Sequence, residues 1–115
     1  MSKRTPRLIV EDMLDAIGKI ELYLDKKNFQ DFLDNTMAVD AVVRNLQIIG
    51  EAANRLPESI LEENKSIPWH DIVGLRNRIV HDYFGIDYDI IWIITCKELS
   101  ELKKSLQIIY ETLKK

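Results

Sequence analysis

Apolar residues recur at every third or fourth position along most of this chain, and that period commits it to α-helices. Only four glycines and three prolines interrupt the pattern in 115 residues, too few for a fold built on tight turns. A first helix opens with Thr5 as its cap and Pro6 at the first helical position, where a missing N–H costs nothing. It buries Ile9, Met13, Ile17, Ile20 and Leu24 and fades near Asn28. After a polar link from Asp31 to Asn35, a second helix carries Val39, Val42, Leu46, Ile49, Ala53 and Leu56 until Pro57 interrupts it. A helical turn is expected between Glu58 and Lys65. Ile67-Pro68-Trp69 then starts a third helix that Gly85 ends. The fourth begins after Asp87 or Asp89, with Trp92, Cys96, Leu99, Leu102, Leu106, Ile109 and Leu113 on one stripe. The expected architecture is all-α: an antiparallel up-and-down four-helix bundle with a short extra helix, as one domain over residues 1–115.

An apolar content of 46% supplies a core of that size. Sixteen basic residues against 19 acidic leave a net charge of −3, which disfavours binding nucleic acid through bulk charge but leaves room for a local phosphate site. One cysteine, Cys96, forms no internal disulfide, and its place on the apolar stripe points to core packing and to a cytoplasmic chain. Lys3, Arg4 and Arg7 are followed by too short an apolar run for a signal peptide. The longest apolar stretch, Ile90 to Cys96, is far below the roughly 18 residues of a membrane span. With only His70 and His81 and no carboxylates at ligand spacing, no metal site and no cofactor is expected.

The third helix holds an anomaly. On a wheel of about 100° per residue, Ile72, Val73, Leu75, Ile79 and Val80 fall in an arc around Arg76. Asn77, Arg78 and His81 fall on the polar side, and Tyr83 rejoins Arg76 if the helix persists. An arginine inside an apolar arc must find an anionic partner or reach an edge by snorkelling, because an unpaired buried guanidinium is very costly. Glu51 on the second helix is one candidate and an anionic ligand at a subunit interface is the other. Spacing alone leaves His81 open between proton transfer and a structural role, and leaves Tyr83 open between chemistry and helix-end packing.

Arg76, His81 and Tyr83 read as R-x-x-x-x-H-x-Y. With Asp40 to Leu46, Ile49 to Ala53, Ile67-Pro68-Trp69 and Leu75 to Asp87, that motif makes the chain resemble the HepT-like proteins of the HEPN superfamily over nearly its whole length. The resemblance implies a helical homodimer that acts as a metal-independent endoribonuclease on RNA, the toxin of a type VII toxin–antitoxin pair. Its implied partner is a small nucleotidyltransferase antitoxin. Carried over, Arg76 and His81 are the nuclease residues and Tyr83 is the tyrosine that receives AMP. Asn77, Glu51 and Arg44 are supporting candidates, the last two near one face of the second helix. Two other readings compete with the nuclease: a non-catalytic dimer that binds a nucleotide or the nucleotidyltransferase, and a structural partner in which Glu51 seals Arg76.

Overall fold

The computed structural model describes residues 4–81 and 85–113, with backbone alone at His81. The chain is all-α, with the expected caps in place. Helix α1 (Pro6–Leu24) starts where the Thr5 hydroxyl accepts from the Leu8 N–H at 3.2 Å, and it buries Ile9, Val10, Met13, Ala16, Ile17 and Ile20. The expected polar link is instead a short helix, α2 (Phe29–Asp34), held by a reciprocal cap. The Asp31 N–H donates to the Asn28 side chain at 2.8 Å, and the Asp31 carboxylate accepts from the Asn28 N–H at 3.0 Å. The cap satisfies two otherwise orphaned N–H groups, and Phe32 then anchors the segment in the core.

Helix α3 (Thr36–Ala53) is capped by Asn35 and carries the predicted seam, with Leu56 buried just past its end. Helix α4 (Glu58–Glu63) fills the expected helical turn. Residues 88–112 form one composite helix: α7 (Tyr88–Ile93), a π-turn at Ile94–Glu98, and α8 (Leu99–Thr112). Asp87 caps its start by accepting from the Ile90 N–H. Hydrogen bonds from Tyr110 to Glu11 and from Lys103 to Glu21 set α8 antiparallel to α1. Phe32 packs on Trp92 at 5.5 Å and on Tyr88 at 6.4 Å between ring centroids, tying α2 to α7. Among the described residues, no helix is long and apolar enough to cross a membrane.

Two sequence expectations are corrected. The π-turn gives the fourth stripe an extra residue, so the Leu99 N–H bonds to the Ile94 carbonyl five residues back. Ile91 and Ile94 take the core positions, and Cys96 lies exposed rather than packed. The third helix is not continuous either. It forms as α5 (Trp69–Val73) and α6 (Leu75–Ile79) on either side of Gly74, and the chain then turns extended. Strands β1 (Val80–His81) and β2 (Gly85–Ile86) pair antiparallel, with Val80 opposite Ile86 and His81 opposite Gly85. The Asp87 N–H closes this hairpin on the Ile79 carbonyl at 2.8 Å. Gly85 does not end a helix; it takes φ +79° in β2, a conformation that L side chains rarely adopt.

Candidate functional site

The break at Gly74 decides where the motif arginine stands. Of the arc expected around Arg76, only Ile72, Leu75 and Ile79 are buried; Val73 is exposed and Val80 is half-buried in β1. Leu75 and Ile79, the two that share α6 with Arg76, lie to one side of it, within about 100° on the wheel, and Arg76 is exposed. Glu51 is exposed too, and the expected ion pair between them is not formed. No hydrogen bond joins the Arg76 side chain to any described residue.

Arg76 and Glu51 do share a cleft of about 230 Å³ between α3 and the α5–α6 segment. Asn77 and Val73 complete the α5–α6 wall, and Gln47, Gly50 and Asn54 line the α3 wall beside Glu51. Gly50 makes the close approach possible. A Cβ there would stand 2.9 Å from the Ile72 carbonyl oxygen and 3.3 Å from that of Val73, so only hydrogen lets α3 meet the α5 backbone. Sequence reasoning missed Gln47 and Asn54 as members of this cleft. The signal was present: residues 47, 51 and 54 recur at helical spacing on the polar flank of the second helix. Arg44 is exposed and does not line the cleft.

A carboxylate partner is found instead at Arg78, which the wheel placed on the polar side. Arg78 is half-buried and grips Glu98 of the π-turn through two nitrogens, at 3.0 Å and 2.9 Å. That bidentate bond to Glu98 raises the guanidinium pKa, against the lowering effect of burial.

His81 follows Val80 in β1, which takes it out of the helical frame in which the wheel set it on the polar side. The side chain of His81 and the whole of Tyr83 lie outside the described residues. Among the described residues no three of His, Cys, Asp and Glu are grouped as ligands for a metal ion.

The family described as Ribonuclease HepT-like matches residues 13–112. The chain belongs to the HepT-like family. Among its relatives is the "Putative RNase" of Caldanaerobacter subterraneus subsp. tengcongensis, 36% identical over 94% of this chain and 96% of that protein. A protein of the same printed description from Methanocaldococcus jannaschii is 35% identical over 95% of this chain and 100% of its own length. The "Probable ribonuclease HepT" of Thermococcus cleftensis is 34% identical over 88% and 92% of the two chains. No solved structure shows a significant match.

Proposed function

We propose that this HepT-like protein is a metal-independent endoribonuclease whose chemistry is carried by Arg76 and His81. The observation that carries the reading is the exposed Arg76: an arginine of the R-x-x-x-x-H-x-Y motif that opens on a cleft with no carboxylate bonded to it among the described residues. A guanidinium in that state can take a phosphodiester through two parallel N–H···O bonds. In the proposed reaction His81 accepts the proton of a ribose 2′-hydroxyl as its oxygen attacks phosphorus. The bond from phosphorus to the 5′-oxygen breaks, a 2′,3′-cyclic phosphate is left, and the 5′-oxygen departs with the proton that His81 returns. Arg76 stabilises the charge that develops on the phosphate. Glu51 and Asn77 support the site from the same cleft; Arg44 stands apart from it.

The proposed setting is a cytoplasmic homodimer, the toxin of a type VII pair, silenced when a nucleotidyltransferase antitoxin places AMP on Tyr83. An adenylate two residues from His81 adds bulk and a negative phosphodiester where RNA would bind. The test is incubation of the native protein and His81→Ala with mixed cellular RNA in a chelator. Cleavage by the native protein alone is expected, with both proteins equally folded. Equal rates would remove His81 from the chemistry. Cleavage by neither would favour the non-catalytic nucleotide-binding dimer that the net charge of −3 also suits.

A further inference from the structure

The cleft beside Arg76 holds a group that an RNA phosphate would avoid. Glu51 is a carboxylate on the opposite wall, and like charges repel across so small a space. It bonds to no described residue, and neither do the side-chain amides of Gln47, Asn54 and Asn77. A cleft lined by one carboxylate, three amides and a guanidinium suits a nucleotide better than a bare phosphate. The carboxylate supplies acceptors only, whereas each amide both donates and accepts.

The four RNA bases differ in what they can offer an ionised carboxylate. Unpaired bases in single-stranded RNA are read on their Watson–Crick edges. Uracil presents one ring N–H between two acceptors, while cytosine and adenine each present an amino group beside an acceptor. Guanine alone presents two adjacent donors, N1–H and the N2 amino group, spaced for the two oxygens of a carboxylate. A cleft of about 230 Å³ is comparable with the space one purine takes.

We propose that this cleft is a guanine-reading subsite, in which Glu51 accepts from N1–H and N2–H of one unpaired guanine while Arg76 holds an adjoining phosphate. The inference rests on RNA as the ligand and adds the base that would be selected. It also gives Glu51 a role that repulsion of phosphate would otherwise argue against. Gln47, Asn54 and Asn77 complete the hydrogen bonding around the ring.

Binding tests this separately from cleavage. The probes are labelled 2′-O-methyl uridine hexamers, which cannot be cut through a 2′-hydroxyl, each with one central guanine, inosine, 7-deazaguanine or adenine. Fluorescence anisotropy should show the guanine hexamer binding about tenfold more tightly than the inosine one, because inosine lacks the N2 donor. The 7-deazaguanine hexamer, whose Watson–Crick edge is intact, should match guanine. In Glu51→Gln, an exposed substitution, the preference should move toward adenine, since an amide accepts from N6 and donates to N1. Equal binding of guanine and inosine by the native protein would overturn the subsite, as would an unchanged preference in Glu51→Gln. Guanine preference without cleavage of ordinary RNA would keep the subsite and remove the nuclease. Cleavage without base preference would do the reverse, and binding of none of the hexamers would remove both.

Discussion

Arg76 and Arg78 stand two residues apart on one short helix and meet opposite circumstances. Arg78 turns toward the π-turn, where Glu98 takes two of its N–H groups. Arg76 turns toward α3 and opens on a cleft where no described side chain bonds to it. The difference teaches how to tell a structural arginine from an available one. A guanidinium gripped by a carboxylate has its charge and its planar fork already engaged, whereas one exposed beside a cleft keeps both for an anion. Helix α6 is only five residues long, too short to persist without tertiary support. The Arg78–Glu98 bond is part of that support, and it leaves Arg76 free for a ligand.

The sharpest way to break this comparison is to remove each arginine's function in turn. Arg76→Ala should lower RNA cleavage by about 10²–10³-fold, as loss of one charge-stabilising donor does elsewhere, while stability moves by less than about 0.5 kcal/mol. Thermal melts beside rate measurements would check both. A large loss of stability with it would show Arg76 to be structural after all. Gly50→Ala comes next, at about 1–3 kcal/mol of destabilisation, because its new methyl meets the Ile72 backbone and neither helix can yield cheaply. Urea unfolding would measure it, and a neutral result would mean that α3 and α5 are less closely docked than the 2.9 Å approach requires. Glu98→Ala should cost least, about 0.5–1 kcal/mol, since the Arg78–Glu98 pair is partly open to solvent, with side-chain exposures of 30% and 43%. The cost should shrink as salt rises. If Glu98→Ala abolished cleavage as fully as Arg76→Ala, the division of labour between the two arginines would fail.

Much of the scaffold was legible in the residues. Thr5, Pro6 and Asp87 marked helix starts because capping is a local bargain between a side chain and the next three N–H groups. The seams of α1 and α3 followed from period alone, since each of those helices runs unbroken past its partner. Where a helix was broken, the same reasoning failed. The wheel carried Arg76 to His81 through one frame, but α6 ends at Ile79 and the chain turns extended at Val80. Cys96 was misplaced for a related reason: the π-turn shifts the phase of the last helix by a residue, and nothing in the spacing of Trp92, Cys96 and Leu99 announces it.

The candidate site divides along the same line. The roles proposed for Arg76 and His81 come from the resemblance of the motif to the HepT-like family, since their spacing alone left His81 open. The site's membership was legible only in part: Arg76, Asn77 and Glu51 were candidates, but Gln47 and Asn54 were not, since the cleft draws on two segments that meet only because Gly50 lacks a side chain. The sequence by itself determined the long helices and the caps at Thr5 and Asp87, which depend on neighbours within a turn or two. Only the tertiary structure decided which arginine Glu98 would take and which would be left facing Glu51, because ion pairing depends on distances between segments far apart in the chain.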